Sequence, residues 1–220
     1  MITSPSPKVI LLHGLGRQSL SMVYLARQLA QAGYNPCNLS YPSLKYSVEK
    51  LAADFVLPEI EKCRDSEDEP IHFVTHSLGG IVTRQLAASQ AQIKFGRVVM
   101  LAPPNAGSEI ADIFGKTALL RRFNSPAGKE LGTSENALPK SLGAASFEVG
   151  IIAGNRTINP LLSKMIGGEN DGRLSVENAK LERMSDFLVL PVSHPLIMLN
   201  RKVAEQTIYF LKHGVFLKKT

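Results

Sequence analysis

Long hydrophobic runs are missing from this sequence. The longest reach about five residues, far short of the roughly 20 needed by a membrane-spanning helix. Basic runs interleaved with aromatics are missing too. A net charge of +6 raises the question of nucleic-acid binding, but the lysines and arginines are scattered, which argues against such an interface. Cysteine is scarce. Cys37 and Cys63 make no disulfide framework and match no zinc spacing, so both are expected to be buried free thiols in a reducing compartment. Low-complexity tracts, heptads and internal repeats are absent. Met1 to Pro7 has neither a basic n-region nor an apolar h-region, so no signal peptide is visible and a cytoplasmic location is expected. The sequons at Asn38-Leu39-Ser40 and Asn155-Arg156-Thr157 then read as chance.

What is present is enough for one core. The chain has 220 residues, 44% hydrophobic and 20% charged, which fits a single domain over residues 1–220. Lys8 to Leu12 is a continuous apolar run, as in a strand buried on both faces. Met22, Leu25, Ala26 and Leu29 then recur at helical spacing before Gly33. Tyr34 to Tyr41 reads as a second strand. Val48, Leu51, Ala52 and Phe55 mark a helix that Pro58 is expected to kink or end. Further strands are predicted over 71–76, 95–101, 147–153 and 187–192, with a last helix from Leu196 to Lys212. Strands alternating with helices imply a parallel α/β sheet with helices on both faces, whose chemistry lies at the carboxyl ends of the strands. Two stretches break the alternation. Residues 105–146 carry short apolar groups broken by glycine and proline, and read as a lid inserted over the sheet. Residues 156–168 read as a second irregular insertion. The basic stretch from Lys212 to Lys219 reads as a solvated terminal helix, with weak attraction to anionic membrane surfaces as the alternative.

The chemistry centres on Thr75-His76-Ser77-Leu78-Gly79-Gly80, between a β-prone run and a helical one. A serine there suggests a nucleophile elbow, a strained turn that holds the hydroxyl above the sheet edge. An ordinary N-cap serine is the bland alternative. A serine hydroxyl needs a base. Of the five histidines, His76 adjoins the serine but is expected to point to the other side of the chain. His72 is expected to pack, His13 to shape its loop, and His213 lies in the tail. His194, in a loop after the last strand, is the candidate base. The base needs a buried acid. Asp171, in Asn170-Asp171-Gly172, is the candidate, with Glu169 as a neighbouring alternative. Asp186 falls at the opposite edge. Backbone N–H groups of Leu78 and Leu15 can serve as oxyanion donors.

Leu12-His13-Gly14-Leu15-Gly16, Thr75 to Gly80, Asn170-Asp171-Gly172 and His194 together resemble the α/β-hydrolase superfamily, in particular its small bacterial lipases and carboxylesterases. The resemblance implies ester hydrolysis through an acyl-enzyme by a Ser-Asp-His triad, a movable lid, no organic cofactor and a small-molecule or lipid ester as substrate. It departs at Thr75, which stands where G-x-S-x-G has its first glycine. Ile110, Ile113 and Phe114 fall on one helical face of the lid and are candidate acyl contacts. Some lipases of this group carry calcium, but no oxygen-ligand loop is recognisable here, so no metal ligand is assigned. Gly14-Leu15-Gly16 imitates the start of a dinucleotide fingerprint. Ser19 stands where its third glycine would fall, and no acid ends the next strand. The same residues would serve an acyltransferase, and the same fold can carry a non-catalytic binding protein.

Overall fold

Apolar runs without polar alternation become the middle layer of the molecule. A computed structural model describes residues 6–89, 91–115 and 125–218. Its six strands are β1 (Lys8–Leu12), β2 (Asn35–Leu39), β3 (Ile71–His76), β4 (Phe95–Leu101), β5 (Val149–Gly154) and β6 (Asp186–Leu190). They lie in the order β2-β1-β3-β4-β5-β6, and every pairing is parallel. β1 and β5 are buried along their whole length, as a sheet covered on both faces requires.

The helices are α1 (Val23–Gln31), α2 (Val48–Lys50), α3 (Leu57–Cys63), α4 (Leu78–Ala88), α5 (Glu109–Gly115), α6 (Pro126–Glu130), α7 (Leu138–Ser141), α8 (Pro160–Ile166), α9 (Val176–Ala179) and α10 (Arg201–His213). α1 and α10 pack together in one layer, and α4 packs with the helical run from 48 to 63 in the other. α1 buries Leu25 and Leu29. α10 starts at Asn200, whose side chain accepts the N–H groups of Lys202 and Val203, and its Phe210 is fully buried. Truncating that ring to alanine would cost about 3–5 kcal/mol.

Four local expectations change. Pro58 does not end its helix. The helical run from 48 to 63 passes through it, and the wider, π-helical stretch just before it (Leu51–Val56) gives the ring room where its missing N–H removes a rung. Residues 156–168 are not irregular throughout, because Asn159 caps α8 by accepting the N–H of Leu162 and Pro160 opens it. The basic tail is not a helix. α10 stops at Gly214, which adopts a left-handed φ of 75°, and the chain turns back to bury Phe216 against Phe210. Cys37 and Cys63 are not free thiols but form a disulfide between β2 and the end of α3. The two are 26 positions apart, so only the folded chain brings them together. The pairing removes the argument for a reducing compartment. Among the described residues, no helix is long and apolar enough to cross a membrane.

Candidate active site

β3 ends at His76 and α4 begins at Leu78, leaving Ser77 alone at the turn with φ 52° and ψ −119°. That backbone is strained for a residue with a Cβ. It is held by its surroundings. The N–H of Ser77 donates to the carbonyl of Leu101 at 2.9 Å, and the N–H of Gly80 donates back to the carbonyl of Ser77 at 2.9 Å. Small neighbours make room. A Cβ on Gly79 would stand 2.5 Å from the Leu12 carbonyl oxygen, and one on Gly80 would crowd Pro103, Met100 and the Thr75 hydroxyl. Thr75 is fully buried beside Gly80, so the residue that departs from the motif fits. Among the described residues its Oγ1 has no partner.

The loop after β1 lies over this turn. A Cβ on Gly14 would stand 3.2 Å from the Ser77 Cβ and 2.8 Å from His76 Nδ1. His13 shapes that loop. Its ring stacks on Tyr41 at 4.2 Å, and its Nε2 accepts the N–H of Tyr41. Nδ1 therefore carries the proton and donates to the Gly14 carbonyl at 2.9 Å. The Tyr41 hydroxyl donates to the His13 carbonyl, and the N–H of Gly16 donates to Ser43 Oγ. Burial holds the His13 pKa below 6.5 and raises that of Tyr41.

Asp171 and His194 come from the loops after β5 and β6. Both are buried, at 1% and 5% exposure. His194 Nδ1 donates to Asp171 Oδ2 at 2.7 Å. Asp171 Oδ1 accepts the N–H groups of Arg173 (3.0 Å) and Leu174 (2.9 Å), and the N–H of His194 donates to the Asp171 carbonyl. Carboxylate and imidazole are thus fixed by the same turn, which leaves Nε2 of His194 for a reacting group. Glu169 lies outside this pair and accepts from Asn155. Asp186 stands at the start of β6, where it accepts the N–H of Phe216.

His76 departs from expectation. Strand alternation does not continue through a residue at φ 52°, and the His76 ring lies 4.9 Å from that of His194. Its Nε2 meets the His194 carbonyl at 3.2 Å. Burial, with His194, Arg17 and Arg173 nearby, holds its pKa well below 6.5, so the ring is neutral. His72 packs against Tyr34 and accepts the N–H of Arg97.

Ser77, His76, His194 and Leu15 line one cleft of about 470 Å³, part of it open to solvent. Residues 105–146 contribute Ser108 and Leu131 to its wall. Ile110 and Ile113 do not line it. Ile110 is 1% exposed and faces inward, Ile113 is half-buried, and the Phe114 side chain is outside the described residues. Leu78 is buried at the start of α4. Arg17 and Arg173, which sequence reading did not single out, do line the cleft. The one sequence cue was Arg173, two positions after Asp171. Among the described residues, no group of three or more His, Cys, Asp or Glu side chains could hold a metal ion.

No curated protein sequence matches the chain. Solved structures do. The mature form of Bacillus licheniformis lipase BlEst2 superposes with a TM-score of 0.71 at 19% identity, over 96% of this chain and 92% of that one. Its propeptide form gives 0.73 at 18% identity over 98% of this chain, which spans only 52% of that longer one. The metagenomic carboxyl esterase MGS0156 gives 0.64 at 17% identity, over 89% of this chain and 67% of that one. At such identities the likeness establishes the fold. Residues 9–176 also match the family described as Alpha/beta hydrolase. That match covers well over half of the sequence, so this chain belongs to the alpha/beta hydrolase family.

Proposed function

We propose that this hydrolase cleaves carboxylic esters through an acyl-enzyme, with Ser77 as nucleophile, His194 as general base and Asp171 as the acid that orients it. The observation that carries the reading is the buried Asp171–His194 pair opening onto the same cleft as a strained Ser77. As Ser77 Oγ attacks the carbonyl carbon, His194 Nε2 takes its proton, and Asp171 stabilises the resulting imidazolium. The tetrahedral oxyanion meets the N–H groups of Leu15 and Leu78, each worth about 3–4 kcal/mol of barrier. His194 then protonates the leaving alkoxide, and a water repeats the sequence to release the acid. His76 stays neutral and supports the His194 backbone without competing for the proton.

We propose residues 105–146 as a cap over Ser77. As the segment stands, Ser108 and Leu131 reach the cleft, and Ile110 and Ile113 would meet an acyl chain only if it lifted. A fluorophosphonate probe is expected to label the wild type and to miss Ser77→Ala, while p-nitrophenyl ester turnover disappears in parallel. Equal labelling of both proteins would remove Ser77 from the mechanism.

A further inference from the structure

Two arginines line the wall of the catalytic cleft, Arg17 beyond the Gly14-Leu15 loop and Arg173 beyond Asp171, and the charge of each is felt by the His76 ring in the same wall. Among the described residues, no Asp or Glu side chain lines it. The nearest acid, Asp171, has both oxygens committed, to His194 and to backbone N–H groups. Arg17 also lines two adjoining clefts. One, of about 840 Å³, runs past Tyr41 and Ser43 to Lys45. The other runs to Leu20 and Leu199. Among the described residues, neither is lined by a carboxylate. Three clefts therefore meet at Arg17 with cations in their described walls and no anion, in a chain with 19 acidic residues to place.

Both guanidiniums have roles in the fold as well, and Arg17 Nη2 donates to the Pro195 carbonyl at 3.1 Å, next to His194. That bond places the charge beside the catalytic base. A neutral, wholly apolar substrate gains nothing from the charge of these two side chains. An oxyanion on the substrate is attracted to both and can add charge-assisted contacts to the roles they already have in the fold. A cleft walled by one sign of charge also concentrates ligands of the other sign.

We propose that the ester taken by this site carries a negative charge close to the scissile bond, a carboxylate or phosphate-type oxyanion, recognised by Arg17 and Arg173. The proposal rests on Ser77 being an ester-cleaving nucleophile. The charge can belong to the acyl part or to the alcohol part, and paired substrates separate the two. Mono-p-nitrophenyl glutarate against p-nitrophenyl valerate places it on the acyl side. p-Butyryloxybenzoate against its methyl ester places it on the alcohol side. In at least one pair the wild type is expected to favour the charged member by about tenfold or more in kcat/KM, the yield of a single charge-assisted contact. That preference shrinks as salt is raised. It collapses in Arg17→Gln and in Arg173→Gln and is partly kept in Arg17→Lys, which retains the charge. Should Arg17→Gln fail to fold in a thermal melt, Arg173→Gln alone carries the test. Preference for the neutral member of both pairs overturns the proposal and leaves Ser77 in place. So does a loss in the variants that is equal for charged and neutral esters, which would make the arginines oxyanion stabilisers instead. Failure to turn over any of the four esters, with no fluorophosphonate labelling, overturns the hydrolase reading and this proposal with it.

Discussion

The elbow at Ser77 and the segment 105–146 face each other across one cleft, yet they are held by different means. The elbow is backbone held by backbone. β3 has β1 on one side and β4 on the other, and the turn is bonded to Leu101 and Gly80. Among the described residues, the segment has scattered backbone bonds to the body, from Ala106, Ala127 and Ala145, and a side chain of α4 ties several of its points at once. Arg84 of α4, 4% exposed, donates to Asn105 O and Oδ1 (both 3.2 Å) and to the carbonyls of Pro139 and Gly143 (both 2.7 Å). Within the segment, Asp112 accepts from the N–H and hydroxyl of Thr133. Moving the elbow means breaking the sheet, whereas the described parts of the segment are held by side-chain and loop bonds and by the buried Ala111, Ala127 and Leu131, so the cap proposed above has less backbone pairing to break than the elbow.

That contrast can be tested from its rigid side first. His194→Ala is expected to lower kcat by about 10⁵-fold, and Asp171→Asn by about 10⁴-fold, with the melting temperature of each near that of wild type. Glu169→Gln should remain close to wild type, and the opposite ranking of the two acid variants would move the acid to Glu169. On the tethered side, Arg84→Met leaves four acceptors without their donor, at a cost of about 3–5 kcal/mol. Its pKa, lowered by burial to about 10, still leaves the guanidinium charged at neutral pH, so the lost bonds are charge-assisted. Hydrogen exchange is expected to quicken in the described parts of 105–146 before β3 is affected. Uniform quickening through β3 would erase the distinction between the two regions.

The smallest effect concerns pH. His13 and His76 both have folded-state pKa values below 6.5, mainly because burial disfavours the charged ring. The unfolded chain protonates them near 6.5, and the folded chain does so only at lower pH. Stability is therefore full above about 6.5 and falls as pH drops below it, by at most about 1.4 kcal/mol per pH unit for each ring. Denaturation at pH 7.5 and 5.5 should show the loss, and His13→Gln should reduce it. An unchanged pH dependence in that variant would locate the sensitivity elsewhere.

Features carried by adjacent residues were legible in the sequence: the strands, the Ser77 turn with its two glycines, and the Asp171 and His194 loops after β5 and β6. Features that depend on distant partners were not. The disulfide joins residues 26 positions apart, and the Arg84 bond to Pro139 spans 55. A charged residue in the helix that follows the Ser77 turn, between Ile81-Val82 and Leu86, was a usable sign that Arg84 had buried acceptors to satisfy. His76 was misplaced because strand periodicity was carried through a residue that does not obey it. Arg17 and Arg173 sit in loops without periodicity, where only the folded cleft reveals what a side chain faces.

The backbone of Ser77 also bears on how this chain was selected. At φ 52° a glycine would relieve strain of about 1–3 kcal/mol. Selection for stability alone would make that exchange, since an alpha/beta hydrolase that only had to fold gains nothing from a hydroxyl there. The position instead holds the hydroxyl proposed above as the nucleophile. With Ser77 as the nucleophile proposed above, the chain carries in this strained turn a record of having been kept for what it does as well as for its shape.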